Sequence, residues 1–151
     1  MKIRQANLSD ASSLKELSKH VITACYTGFM GEEMVNGYLS SGASDDEVDK
    51  HISNTFVAVD DSELIMGYVV VIDDLIHIMM VSPEQQRLGI GARLLSFAET
   101  IIHNDNLKPT LETFEANTQA MNFYLKNGWL IARKKSDPDF GFVRVFFDKE
   151  S

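Results

Sequence analysis

Cysteine is almost missing from this chain. Cys25 is the one thiol in 151 residues, so no internal disulfide can form. That fits a reducing compartment, and a cytoplasmic location is the expectation. Long apolar runs are missing too. The longest, Ile65–Ile72 and Leu75–Val81, are strand-sized and far short of the ~20 residues that span a bilayer. The opening MKIRQANLSD has no apolar stretch of the secretory kind, so neither a leader nor a membrane partner is expected. Proline occurs three times, and no low-complexity stretch, linker or repeat is found. One domain over 1–151 is the reading. Basic residues are scarce in the first half: between His20 and Gln86, twelve Asp and Glu face one lysine, Lys50. The whole chain carries −8. Such a surface repels phosphates, which disfavours nucleic acid and with it a transfer-RNA-modifying role. It attracts cations. Acidic surfaces also keep proteins soluble, so the asymmetry bears on function only where that half builds a substrate site.

What is present is enough apolar residue, 44%, for a substantial core. Lys2–Ala6 alternates like a short strand. Ser9 or Asp10 can cap a helix running to about Tyr26, with Leu14, Leu17 and Val21 on one face, and Gly28 and Gly31 are expected to break it. A second helix is predicted over Glu32–Leu39 and a third starts near Ser44. Then the period changes. Thr55–Val59, Leu64–Ile72 and Leu75–Val81 read as a meander, apolar on both faces, which implies a sheet covered on both sides. A helix follows to about His103, its buried stripe set by Ile90, Leu94, Phe97 or Ala98, and Ile101. Thr110–Phe114 is a strand. Asn117 caps a helix that ends at Asn127 with Gly128 after it, and Trp129–Lys135 and Phe140–Phe147 close the chain as strands. The order gives a mixed α/β fold.

Between the meander and the long helix lies SPEQQRLGIGARLL, residues 82–95. A strand–loop–helix junction with glycines presents unpaired N–H groups and the positive end of a helix dipole, a site for an anion. Arg87 and Arg93 add positive charge. Gly91-Ala92-Arg93 lacks the Gly-Lys-Ser/Thr ending of a phosphate loop. Leu94 stands where a dinucleotide fingerprint needs its third glycine. Gln86-Arg87-Leu88-Gly89-Ile90-Gly91 instead resembles the Gln/Arg-x-x-Gly-x-Gly/Ala signature of the GNAT superfamily of acetyl-CoA-dependent N-acetyltransferases. Asn117, Ala120, Phe123-Tyr124 and Asn127-Gly128-Trp129 look like the same superfamily's late helix. Trp129 stands where Phe is commoner, and Ile65-Met66-Gly67 resembles its early strand.

The resemblance implies a mostly antiparallel central sheet with helices on both faces and acetyl-CoA as co-substrate. It implies pyrophosphate held by the main chain of Arg87, Leu88, Gly89, Ile90, Gly91 and Ala92, beside Gln86. Pantetheine then pairs along Met79, Met80 and Val81, with Asn117 and Tyr124 approaching from the other side. In the reaction a thioester passes its acyl group to an amine, by direct attack in a ternary complex. A free alkylamine with a pKa of about 10.4 is almost wholly protonated at neutral pH, so the site must take up a proton. Tyr124 is the candidate acid for the departing thiolate. Glu112 and His77 are rival bases, the first resembling the family branch that acetylates protein N-termini, the second its arylalkylamine enzymes; a water chain is the third route. The acceptor site is expected from residues 26–54, so a cationic small molecule or polyamine is the expected amine. Rival readings are a protein N-terminal or lysine acetyltransferase, and a non-catalytic acyl-CoA-binding module. Members of the superfamily often form homodimers. His20, His51 and His103 show no ligand spacing, and no metal is expected.

Overall fold

The computed structural model describes residues 1–86, 88–138 and 141–149. β1 (Lys2–Gln5) is followed by a one-turn 3-10 helix at Leu8–Asp10 and by α1 (Ala11–Met30). The turn is set by a reciprocal cap: the Asn7 side chain accepts from Ser9 N–H, and the Asp10 carboxylate accepts from Asn7 N–H. Asn7, rather than Ser9 or Asp10, is therefore the capping side chain. α1 also runs through Gly28 and stops at Gly31, which has φ +89°. A helical glycine costs about 1 kcal/mol. The last turn offsets it by packing Phe29 against Tyr26, Phe114 and Phe142.

α2 (Glu32–Ser40) and α3 (Ala43–His51) lead to β2 (Thr55–Val59), β3 (Ile65–Ile72) and β4 (Leu75–Val81). Next come α4 (Ile90–Asn104), β5 (Thr110–Phe114), α5 (Thr118–Lys126), β6 (Leu130–Ser136) and β7 (Val143–Asp148). The strands form one sheet in the order β1-β2-β3-β4-β5-β7-β6. Every neighbouring pair is antiparallel except β4 and β5, which run parallel. Part of the Phe140–Phe147 expectation, Phe140 itself, lies outside the described residues.

The apolar meander is covered on both faces, as its composition requires. β3 alternates: Val69 and Val71 join a core with α4, Trp129 and Phe147, while Tyr68 and Val70 join a second core with α1, α2 and α3. α4 buries Ile90, Leu94, Leu95, Ala98 and Ile102, so Ile102 lies deeper than the expected Ile101. Burying each of the isoleucines and leucines fully stabilises the fold by about 1.5–3 kcal/mol.

Candidate active site

The site begins with a fork in the sheet. β4 and β5 pair only at Leu75↔Thr110 and Ile76↔Leu111. Beyond that point β4 stays with β3 and β5 stays with β7. From His77 onward the β5-facing edge of β4 has no ladder partner among the described residues. The fork opens where β4 carries a bulge. Val70 faces Ile78 and Val71 faces Ile76, so His77 is an extra residue with no partner on β3. A bulge bends its strand and re-aims side chains. Here it also swaps the faces: Ile76 packs in the α4 core, whereas Ile78, two residues on, packs in the α1 core.

The fork is a cleft of about 610 Å³. One wall is β4, with His77, Met79, Met80 and Val81; the other is β5 and α5, with Glu112, Thr113, Asn117, Ala120, Phe123 and Tyr124. Gln86, Gly89, Gly91 and Ala92 line the end at the α4 N-terminus, and Val21, Cys25 and Tyr26 of α1 line it from the first half of the chain. All three proposed proton-transfer residues, His77, Glu112 and Tyr124, therefore share one cleft with most of the proposed co-substrate residues. Leu88 is 68% exposed and does not line it. Ile90 turns its side chain into the core and does not line the cleft. Arg87 lies outside the described residues.

The two loop glycines do different work. Gly89 holds φ +80° and precedes the first turn of α4, while a Cβ there would touch nothing. Its conformation is the reason for glycine. At Gly91 a Cβ would stand 3.2 Å from Phe123 Cζ and 3.7 Å from Val81 Cγ2. Lack of a side chain keeps that corner of the cleft open. The first ladder bond of α4 among these residues runs from Arg93 N–H to Gly89 O, 3.1 Å. The amides of Ile90, Gly91 and Ala92 precede it and have no intrahelical acceptor. With the helix dipole they present donors and partial positive charge to an anion. An unpaired strand edge, a glycine-lined corner and first-turn amides without an intrahelical acceptor together fit the pantetheine and pyrophosphate of coenzyme A.

Polar contacts hold the walls. Gln86 donates to Val81 O at 3.2 Å and accepts from Gln119 at 2.9 Å, bridging β4 and α5. Asn117 caps α5 by accepting from Ala120 N–H at 3.2 Å, which leaves its amide NH₂ free to donate. Tyr124 is buried against Phe123, Trp129 and Phe147. Burial, and secondarily Tyr26, push its phenol well above the ordinary value of 10.0. It therefore keeps its proton throughout the physiological range. Glu112 is ion-paired to Arg144 at 3.0 Å, and that guanidinium also covers the Phe114 ring. His77 Nε2 lies 3.0 Å from Glu47 Oε2.

Of residues 26–54, Tyr26 alone lines the cleft among the described residues, with Glu47 behind His77. Sequence reasoning missed Cys25, Gln119 and Lys126, all of which line the site. Helical spacing joins Val21, Cys25 and the neighbouring Tyr26 on one side of α1, but no motif marks that side.

Comparison with known families decides what the fork belongs to. The family model described as Acetyltransferase (GNAT) domain matches residues 51–130, which include β4, the glycine loop and α5. The chain belongs to the GNAT acetyltransferase family. Membership makes it an acetyl-CoA-dependent N-acetyltransferase. Solved GNAT structures share its fold. The GCN5-related N-acetyltransferase of Rhodopseudomonas palustris superposes with a TM-score of 0.84 at 17% identity, over 99% of this chain and 95% of that one. The PaiA N-acetyltransferase of Thermoplasma acidophilum, in complex with coenzyme A, gives 0.80 at 21% identity, over 99% and 98%. An aminoglycoside 6'-N-acetyltransferase complexed with coenzyme A gives 0.73 at 15% identity, over 99% and 96%. Among curated proteins, no sequence matches significantly. No helix among the described residues is long and apolar enough to cross a membrane.

Proposed function

We propose that this GNAT protein acetylates a primary amine on a cationic small molecule, polyamines included, by direct attack on acetyl-CoA in a ternary complex. The observation that carries the reading is the fork. It sets a free strand edge and the amides of α4 on the co-substrate side, and His77, Glu112, Tyr26 and Tyr124 around the remaining space. Main-chain amides from Gly89 to Ala92 hold the pyrophosphate, and Met79–Val81 pair with pantetheine. The amine nitrogen attacks the thioester carbonyl carbon, and the C–S bond breaks. The sulfur takes the Tyr124 proton, which solvent then restores.

The nitrogen gives up its proton to His77. Two features favour His77 over Glu112. The bulge leaves His77 without a partner on β3 and its side chain lines the cleft, and Glu47 anchors Nε2, leaving Nδ1 as acceptor when Nε2 carries the hydrogen. Glu112 is held by Arg144. It is the runner-up base, and its carboxylate, together with Glu47, favours a positively charged acceptor. In this reading the amine lies between α1 and β4–β5, and Tyr26, which lines the cleft, supplies its aromatic wall.

A panel of amines assayed by thiol release tests the reading. Polyamines and basic amines should release coenzyme A faster than neutral or acidic amino compounds. Preference for acidic acceptors sinks the cationic assignment. Coenzyme A binding without turnover of any amine sinks the catalytic one.

A further inference from the structure

Behind the acceptor end of the cleft three side chains meet that the sequence holds apart. Glu47 and His51 lie four residues apart on α3, on one helix face, and His77 reaches them from the β4 bulge. Glu47 Oε2 is 3.0 Å from His77 Nε2 and 3.4 Å from His51 Nε2. The imidazole centroids are 4.9 Å apart. One ligand atom from each residue lies within 4.8 Å of the other two, and no other such group of three occurs among the described residues.

The geometry is that of a metal triad more than of a hydrogen-bond pair. Ligands ~2.0–2.1 Å from a tetrahedral zinc ion are roughly 3.3 Å from one another. Both oxygen–nitrogen separations match that edge, while the two ring nitrogens, within 4.8 Å of each other, close on an ion by turning the imidazoles. Two rings also turn the same kind of nitrogen toward a single carboxylate oxygen. As hydrogen bonds, these two N–H donors crowd one acceptor; as ligands, each ring gives a lone pair to a shared cation. Two His and one Glu is a donor set that zinc takes with its fourth position open. The side chains are 13% exposed at His51, 32% at His77 and 35% at Glu47, sheltered yet reachable. The helix that supplies two of them also carries Asp45, Asp46 and Asp49, of which Asp45 and Asp49 pair with Lys19 and Lys15 of α1.

We propose that Glu47, His51 and His77 bind a divalent d-block cation of the zinc type, and that the ion, held at His77 Nε2, keeps the ring hydrogen on Nδ1, the nitrogen that would take the amine's proton, and so switches off acetyl transfer. Cation binding stands on the geometry alone; the switch rests on the function proposed above. Water, or the amine itself, fills the fourth position.

The test is a titration of metal-stripped full-length protein with zinc, read by calorimetry, and with cobalt(II), read by its visible absorption. One-to-one binding with the strong bands of tetrahedral cobalt is expected. His51→Ala and Glu47→Gln should each weaken binding by at least ~100-fold, more than a lost supporting contact does. Cys25→Ser should not change it. His51→Gln, which keeps more of the side-chain volume, repeats the His51 measurement should the alanine variant fail to fold. Zinc should inhibit the wild type reversibly on chelation and leave His51→Ala active, with its metal-free turnover near wild type. Absence of one-to-one binding, or equal affinity in the His51 and Glu47 variants, overturns the site. Tight binding without inhibition of an active enzyme overturns the switch. Binding is read without turnover, so a failed amine assay leaves the site's own test intact.

Discussion

Single residues carry the chemistry, and two of them can be changed with little disturbance of shape. Tyr124→Phe removes one oxygen from a buried ring that keeps its contacts with Phe123, Trp129 and Phe147. Turnover should fall ~10²–10⁴-fold, the usual worth of a general acid, while coenzyme A affinity by calorimetry stays close to wild type. Unchanged turnover ends the acid role. Far from the cleft, Asp10 pairs with Arg4 at 2.8 and 3.1 Å and closes the cap on Asn7. Arg4 holds the Asp10 carboxyl below its ordinary value of 3.8, outweighing burial, which opposes it. A lowered folded-state pKa means stability that is present above the unfolded value and lost as pH falls through the folded one. Asp10→Asn should therefore cost about 2 kcal/mol near neutrality, and the gap should close as acid protonates the wild-type carboxyl below pH 3.8. Urea melts across that range check it. A gap independent of pH refutes the charge pair as its source.

Elements decide where those residues stand. The α4 N-terminus works through backbone at Gly89 and through empty space at Gly91, so the two substitutions should separate. Gly89→Ala forces an alanine to φ +80° and should cost about 1–2 kcal/mol of stability. Gly91→Val projects methyls toward Phe123 and Val81 and should weaken coenzyme A binding at least ~10-fold, an expectation from steric filling of the cleft. Thermal melts and calorimetry on both variants would show the split. Equal effects of both on affinity would mean that the loop acts by rigidity alone. α5 is nine residues long, too short to hold itself in water, and depends on its cap and its packing. Asn117→Ala should lower stability by about 1 kcal/mol in a denaturant melt. A change of under a few tenths would indicate that packing of Tyr124 and Phe123 alone seats the helix.

For the molecule as a whole, the joint between β4 and β5, paired at only two positions, is the weak point of the sheet and opens the cleft proposed to hold the co-substrate. A ligand that bridges the unpaired edge of β4 and the α4 amides stabilises only the folded chain. Coenzyme A at 100 times its Kd should add about 2.7 kcal/mol to unfolding free energy, visible as a rise in Tm. A Tm indifferent to coenzyme A contradicts the fork as its site. Much of this was legible in one dimension. β2 and β4 fall where alternation and apolar runs put them, Asn117 caps α5, and the loop glycines and Tyr124, singled out from their motifs, line one cleft. Those features are local: period, turn chemistry and helix capping act over a few residues, and the sequence determined them by itself, along with the family they resemble. Other features were settled by contacts between distant segments. Packing of Phe29 carried α1 past Gly28. A register shift against β3 made His77 the bulged residue and turned its neighbours to opposite faces. Glu47, thirty positions away in sequence, then met His77 and His51 at one point. No spacing rule along a chain contains that meeting, because strand register and helix docking are chosen by the burial of two whole cores, and only the tertiary structure records the choice.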